Sequence, residues 1–113
     1  MEIRILSVPA SDGTLRGLGR ARGGTIRLAV DVERKLVAAG GEFHADCEEV
    51  LLEDGSVPEN VWGADLDPDS GTLAFVSLIN IKPQQGGRTM LVEEPTVRGR
   101  IEAIVQHLCG GRP

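Results

Sequence analysis

Aromatic residues are scarce in this chain of 113 residues: they make up 3% of it, with two Phe, one Trp and no Tyr. Hydrophobic residues are nevertheless 41% of the total, so Val, Ile, Leu and Ala must fill the core. A domain of this size buries about two-thirds of the surface that its unfolded chain would expose. We therefore expect residues 1–113 to form a single domain with an aliphatic core.

Positive charge is also in short supply, because 12 Lys and Arg stand against 17 Asp and Glu, giving a net charge of −5. Nucleic acids and anionic membranes bind basic surfaces, so we expect neither as a partner. The exception is an arginine-rich segment with Arg16, Arg20, Arg22 and Arg27. Glycines separate these arginines and no aromatic residue is available for base stacking, which favours a solvated face over an RNA-binding patch.

Cysteine is rare, and long apolar runs are missing. Cys47 and Cys109 are the two cysteines, and neither belongs to a C-x-x-C pair. We interpret both as small buried residues with unreactive thiols. No stretch approaches 18 apolar residues, and the N-terminus lacks the apolar segment of a signal peptide. The sequence thus predicts a soluble, cytoplasmic protein.

The first half of the chain predicts two strands beyond an N-terminal strand and a weak helix. Residues 3–8 form a short apolar run, and Ser11 can cap a short helix that several glycines weaken. Residues 26–32 alternate between apolar and polar side chains, which is the period of a half-buried strand. We favour a hairpin with residues 36–39 as its second arm, although the apolar spacing over 26–39 also permits a helix.

The second half predicts a helix over residues 46–54, a second hairpin and a final helix. Residues 61–66 and 72–81 flank a loop rich in turn-forming residues. An apolar stripe at helical spacing follows Pro95 and ends at Gly110-Gly111. The predicted fold class is α+β: an antiparallel sheet from two hairpins plus an N-terminal strand, with two or three helices packed on one face. The open edges of such a sheet would allow a homo-oligomer.

The segment G-G-E-F-H-A-D contains the strongest candidate site. On an extended backbone Glu42, His44 and Asp46 would share one face, with Cα atoms roughly 6.5 Å apart. An imidazole and two carboxylates suit zinc, iron or manganese, with a further ligand from Glu48 or Asp65. The structural alternative is that Asp46 caps the following helix, Glu42 lies in solvent and His44 makes one hydrogen bond at the strand-to-helix junction.

Three further residues are candidates for ligand binding. Trp62, beside a glycine, could form a shelf for a ligand or fill the core. Asn80 could face His44 across the sheet or have an ordinary role in an exposed or ladder-supporting position. Arg88 lies at the tip of a loop that could close on an anionic ligand, or be a solvated connector.

Two functions are compatible with these residues, beside a third, that of a purely structural or regulatory partner, which predicts a flat apolar patch and a buried, satisfied His44. The preferred one is a small ligand- or protein-binding module without catalysis, with a face centred on Glu42, His44 and Trp62. The alternative is a divalent-metal-dependent enzyme, such as a hydrolase, with the three candidate ligands of G-G-E-F-H-A-D and with Glu48 or Glu49 as the base that acts on metal-bound water. The sequence has no G-x-S-x-G or dinucleotide-binding motif that would identify another catalytic residue.

The blocks along the chain also resemble a known family. They read V-D-V-E-R, G-G-E-F-H-A-D, L-L-E-D-G-S, W-G-A and S-L-I-N-I-K-P. Over about residues 26–104 the chain is similar to a small prokaryotic family of unknown function. The resemblance implies one compact domain and, because that family has no assigned activity, it implies no catalytic residue. The glycine-rich stretch before Thr25 departs from the more helical segment of that family.

Overall fold

A computed structural model describes residues 2–19, 23–85 and 87–110. Five strands and three α-helices follow one another along the chain: β1 (Arg4–Leu6), α1 (Asp12–Gly19), β2 (Ile26–Asp31), β3 (Leu36–Ala39), α2 (His44–Glu53), β4 (Val61–Leu66), β5 (Leu73–Ala74) and α3 (Pro95–Cys109). Short 3-10 turns occupy Pro58–Asn60, Leu78–Asn80 and Pro83–Gln85. The predicted single α+β domain is thus built from eight principal elements.

The strands form one antiparallel sheet in the order β1-β3-β2-β4-β5. This arrangement confirms the two predicted hairpins and the added N-terminal strand. The ambiguity over residues 26–39 is resolved in favour of the hairpin, in which Leu28 pairs with Ala39 and Val30 with Val37. Lys35 has φ +60° in the connecting turn, a left-handed conformation that a helix over this segment would not contain.

The helices cover both faces of the sheet. Alternate strand residues point to opposite faces, so Leu28 and Val30 join the large core beneath α1 and α3, whereas Ala29 joins a smaller core beneath α2. The sequence predicts two or three helices on one face; α1 and α3 share one face, and α2 lies on the other. The physical reason is that both faces are apolar, since Ala38 and Val61 on the α2 side are fully buried as well.

Helix α1 forms despite its glycines. The hydroxyl of Ser11 accepts a hydrogen bond from the Thr14 backbone N–H at 3.1 Å, so the predicted cap is confirmed. Leu15 is almost completely buried and attaches the helix to the core. Arg20 and Arg22, from the arginine-rich segment of the sequence, lie outside the described residues.

The strand predicted over residues 72–81 is wrong for most of its length. Strand β5 has only two residues, and Val76 makes an isolated bridge to Leu91. Ser77 then caps a 3-10 turn by accepting a hydrogen bond from the Ile79 backbone N–H at 3.3 Å. The apolar residues that resembled a strand therefore lie on a segment that leaves the sheet, and Leu78 is 71% exposed there.

Helix α3 confirms the predicted C-terminal helix. The Glu94 side chain accepts a hydrogen bond from the Thr96 backbone N–H, and Pro95 occupies the first turn. Ile101 and Leu108 place its apolar stripe on the sheet. It is the longest helix of the described ranges, and none of these helices has the length and apolarity needed to cross a membrane. Gly110 follows the helix, while Gly111 is outside the described residues.

Candidate functional site

The site is built around the first turn of α2. This helix begins at His44, with Phe43 at its N-cap, two residues earlier than predicted. The Asp46 carboxylate accepts a hydrogen bond from the Phe43 backbone N–H at 3.2 Å, so Asp46 caps from the third helical position, not from the N-cap. The predicted extended conformation up to Asp46 is therefore wrong, because the extended backbone ends at the N-cap Phe43 and the helix begins at His44.

The helical start separates the three candidate metal ligands. Positions two apart on an α-helix point about 200° apart, so His44 and Asp46 face different directions. His44 is buried against the sheet, whereas Glu42 is exposed before the helix. Within the ranges that the structure describes, no group of three or more His, Cys, Asp or Glu could hold a metal ion. The shared face on which the metal hypothesis depended is not formed.

His44 instead belongs to a polar network with two residues of the sheet. Its Nε2 atom lies 3.0 Å from Oδ1 of Asp65, and the same oxygen accepts a hydrogen bond from Nε of Arg27 at 3.2 Å. Arg27 and Asp65 are directly opposite each other on β2 and β4. Nη1 of Arg27 also donates to the Glu42 carbonyl oxygen at 3.0 Å. The network thus joins the sheet to the start of α2.

The charges around Asp65 keep its carboxylate ionised. Burial by itself would raise the pKa of Asp65, but the hydrogen bond and charge of His44, with those of Arg27, outweigh burial and lower this pKa. A carboxylate at Nε2 holds the neutral imidazole in the tautomer that carries its proton on Nε2. Nδ1 is then a hydrogen-bond acceptor, and among the described residues it has no hydrogen-bond partner.

Gly63 provides the space that His44 occupies. A Cβ atom at this position would lie 3.1 Å from Cδ2 of His44 and 2.6 Å from Cβ of Ser77. Any larger residue would therefore displace the imidazole, the Ser77 segment or both. Glycine is required here because two side chains approach the β4 backbone from the α2 face.

A cleft of about 530 Å³ opens above this network. Its lining comprises Arg27, Phe43, His44, Ala45, Asp65, Val76, Ser77, Leu78, Ile79 and Met90. Four of these side chains are large, apolar and exposed by 40–71%: Phe43, Val76, Leu78 and Met90. They are half of the large apolar side chains that are exposed in the described part of the chain. The cleft therefore combines a charged floor with an apolar rim.

Trp62 does not contribute to this cleft. It is 7% exposed and packs in the large core, on the face of the sheet opposite His44. Nζ of Lys82 lies 5.0 Å from the centroid of its ring. Because neighbouring strand residues point to opposite faces, Trp62 and Gly63 cannot serve the same side of the sheet. The face predicted to combine Glu42, His44 and Trp62 is thus divided between two sides.

Asn80 and Arg88 also have distinct positions. Asn80 is fully buried, and its amide accepts a hydrogen bond from Gly63 N–H at 2.8 Å and donates to three backbone carbonyl groups. Its polar atoms are directed to the main chain behind the cleft. Arg88 is exposed and is not among the residues that line the cleft.

Two further clefts among the described residues have volumes of about 720 and 600 Å³, and both are larger than the His44 cleft. The cleft of about 720 Å³ separates α3 from the β4–β5 loop, and its lining mixes exposed polar side chains such as Glu102 with buried apolar ones such as Phe75. The other lies beside Lys82 and Glu48. Burial lowers the pKa of Lys82 and raises that of Glu48, but Nζ of Lys82 already donates to the Pro58 carbonyl at 2.8 Å. We favour the His44 cleft because its charged groups converge on one point.

The cysteines are buried, as predicted. Cys47 lies on the buried face of α2, in the smaller core, and Cys109 lies at the end of α3. Burial raises the pKa of both thiols to about 11, so they are protonated near neutral pH. A protonated buried thiol is a poor nucleophile and a poor metal ligand.

Sequence reasoning identified part of this site. It named His44 together with Glu42 and Trp62, and Glu48 or Asp65 as a further metal ligand, but it treated Arg27 only as a member of an arginine-rich segment. The sequence feature that could have identified Arg27 as a site residue is its position between apolar strand residues, which places it on the same face of the sheet as Ala29. Leu78 and Met90 were missed because nothing in their neighbourhood showed that this segment leaves the sheet.

The fold and the cleft define a single-domain α+β protein whose five-stranded antiparallel sheet has helices on both faces and a His–Asp–Arg cleft beside α2. Residues 4–108 match the model of a family described as "Protein of unknown function (DUF5674)", and the chain belongs to this family. Membership in a domain family of unknown function, which the sequence blocks suggested, is thereby confirmed. Comparisons with curated proteins and with solved structures gave no match.

Proposed function

We propose that this protein is a binding module for a small, largely apolar molecule, and that the molecule lies in the cleft above Arg27, His44 and Asp65. The observation that carries this proposal is the rim of four exposed apolar side chains around a partly buried polar network. Exposed apolar side chains that cluster around a concave surface mark interaction sites, whereas single exposed apolar side chains are ordinary features of protein surfaces.

The dimensions of the cleft support a small molecule as the ligand. Small-molecule sites commonly have volumes of about 300–1,000 Å³, mainly apolar linings and a few convergent polar groups. The volume of about 530 Å³ lies within that range. The floor supplies the convergent polar groups, since Asp65 contacts both His44 and Arg27. An apolar ligand would cover the rim and still meet a specific polar contact.

Ligand binding at this site can be tested with ¹⁵N-labelled protein and a fragment library, by following amide chemical shifts. We expect fragments with an aromatic or branched aliphatic body to shift the amides of Phe43, His44 and Leu78. The substitution Leu78→Asp, at an exposed residue of the rim, should weaken fragment binding at least about tenfold, because a carboxylate would then face the apolar body of the fragment.

The matched control for this experiment is Val8→Asp. Val8 is 69% exposed, close to the 71% of Leu78, and does not line the cleft. Its replacement should leave fragment affinity unchanged. Shifts that map elsewhere, or equal losses in the two variants, would exclude the cleft as the binding site. Binding of a protein partner without any fragment binding would show that the apolar rim of the cleft is a protein-docking surface.

The second candidate function, a divalent-metal-dependent hydrolase, depends on His44 as a ligand. Only Nδ1 of this imidazole is available, since Nε2 contacts Asp65. Elemental mass spectrometry of the purified protein tests this alternative directly. Stoichiometric zinc, iron or manganese that is lost in a folded His44→Ala variant would favour the metalloenzyme over the binding module.

A further inference from the structure

The orientation of the His44 imidazole carries an inference about the ligand, and it rests on the proposed function. Asp65 is the fixed partner of Nε2, and Arg27 holds Asp65 from the neighbouring strand. An ionised carboxylate can accept hydrogen bonds but cannot donate them. The Nε2 proton of the neutral imidazole therefore points to Asp65. The remaining nitrogen, Nδ1, presents a lone pair.

The Nδ1 lone pair belongs to a side chain that lines the cleft. His44 lines the cleft, and among the described residues Nδ1 has no hydrogen-bond partner. Nδ1 is also not fully buried. Among the described residues, the fully buried side-chain polar atom that lacks a hydrogen-bond partner is Oδ2 of Asp31, not Nδ1 of His44. A ligand that donates a hydrogen bond can therefore satisfy an acceptor that the protein itself leaves open.

The apolar rim favours an aromatic body for that ligand. Phe43 is 58% exposed at the start of α2, and an aromatic ligand could pack edge-to-face or offset against its ring. Met90 is 40% exposed and offers a polarisable thioether, which contacts aromatic ring edges favourably. Both side chains line the same cleft as His44.

The charges of the floor disfavour an anionic ligand. The Arg27 guanidinium is already paired with Asp65 and also donates to the Glu42 carbonyl oxygen. A carboxylate in the cleft would meet the lone pair of Nδ1 and the nearby negative charge of Asp65. A neutral donor meets the same lone pair favourably.

We propose that the ligand is a neutral aryl alcohol, a molecule with an aromatic apolar body and one hydroxyl group that donates its hydrogen bond to Nδ1 of His44. The aromatic body contacts Phe43 and Met90, and the hydroxyl group lies at the floor. No covalent step is involved, and His44 acts as a hydrogen-bond acceptor that sets ligand specificity.

Three probes of nearly equal shape test this inference at about pH 8, where a phenol is mostly neutral. They are 4-tert-butylphenol, its methyl ether 4-tert-butylanisole, and 4-tert-butylbenzoate. We expect the phenol to bind about five- to tenfold more tightly than the ether, which corresponds to one net hydrogen bond. The benzoate should bind more weakly than both.

The variant His44→Phe keeps an aromatic ring at the site but removes the acceptor, so the preference for phenol over ether should disappear. If this variant does not fold, the wild-type protein gives an independent measurement through the ¹⁵N chemical shifts of the imidazole. These shifts should show the Nε2-protonated tautomer, and only the phenol should move the Nδ1 resonance in the direction of an accepted hydrogen bond.

Failure of this inference differs from failure of the proposed function. Equal affinities of phenol and ether at the cleft, or tighter binding of benzoate, would overturn the aryl alcohol while leaving a binding site in place. An imidazole protonated on Nδ1 would overturn it as well. If none of the probes and none of the library fragments shifts the cleft amides, the binding module itself is wrong.

Discussion

At the scale of single residues, Asn80 holds together three parts of the chain. Its amide bonds to the Gly63 backbone on β4, to the Phe75 carbonyl after β5, and to the Met90 carbonyl before α3. All these contacts are buried or nearly so. The rim residues Val76, Leu78 and Met90 lie on segments outside the paired strands. The hydrogen bonds of Asn80 to Phe75, Met90 and Gly63 connect these segments to β4.

Replacing Asn80 by Ala should lower the free energy of unfolding by about 3 kcal/mol, because several buried backbone groups would lose their hydrogen-bond partner. Urea unfolding followed by circular dichroism measures this loss. The control is Gln84→Ala, an exposed amide on the following turn, for which we expect a change within about 0.5 kcal/mol. Similar losses in the two variants would show that the hydrogen bonds of Asn80 contribute little.

The sequence anticipated only part of the role of Asn80. By its sequence context, an Asn between two isoleucines is either outward-facing or internally hydrogen-bonded. Its full burial was decided by the 3-10 turn at Leu78–Asn80, which rotates the side chain toward the main chain of β4. Such a turn has no strong local signal beyond Ser77 and Asn80, since Leu78 and Ile79 continue the apolar pattern of the preceding strand residues.

At the scale of secondary-structure elements, the glycines of α1 have different reasons to be present. Gly17 is exposed, and a Cβ atom there would meet nothing within 4 Å. Gly19, the last residue of the same helix, is buried, and its Cβ would lie 2.5 Å from the Gly24 carbonyl oxygen. One glycine therefore only weakens the helix, whereas the other permits close packing of the chain.

Gly17→Ala should raise the free energy of unfolding by about 0.5–1 kcal/mol, because alanine loses less backbone entropy in a helix. Gly19→Ala should lower it, because the new methyl group would overlap a backbone atom. Thermal unfolding of the two variants gives the comparison within one helix. A shift of the melting temperature in the same direction for both would contradict this account of α1.

Most elements followed from local patterns. The hairpin of β2 and β3 and helix α3 were predicted from periodicity and turn chemistry, which depend on residues close in sequence. The boundaries of α2 were not, because an N-cap at Phe43 has none of the side-chain acceptors that identify a helix start. That shift of two residues was enough to take Glu42, His44 and Asp46 off a common face.

At the scale of the whole molecule, the sheet separates two environments. The face under α1 and α3 holds the larger core and Trp62, while the face under α2 holds the smaller core and the His44 network. The larger core alone includes most of the buried aliphatic side chains. The site therefore lies where the sheet is less thickly covered, and this leaves room for a cleft.

The Asp65 carboxylate should make the stability of the molecule dependent on acidic pH. Its pKa is lower in the folded state than the value near 3.9 expected for an unfolded chain, so folding favours the ionised form. The stabilisation is present above the unfolded pKa and is lost as pH falls through the folded pKa. Wild-type protein should thus lose stability from about pH 5 downwards, and Asp65→Asn should lose less over the same interval.

Urea unfolding at several values between about pH 3 and pH 7 measures this dependence. The control is Glu102→Gln, which removes an exposed carboxylate on α3 and should retain the wild-type pH dependence. If Asp65→Asn follows the wild-type curve, the ionised network contributes no measurable stability, and its effect on the imidazole tautomer would need direct evidence.

The sequence by itself determined the fold class, the hairpins, α3 and the aliphatic core, because each depends on periodicities and turn residues within a few positions of one another. Only the tertiary structure decided the site. Arg27 and Asp65 are 38 positions apart and meet through the register of β2 on β4, which the packing of both faces fixes. The rim of the cleft likewise comes from α2 and from segments beyond β5, whose proximity no local pattern encodes.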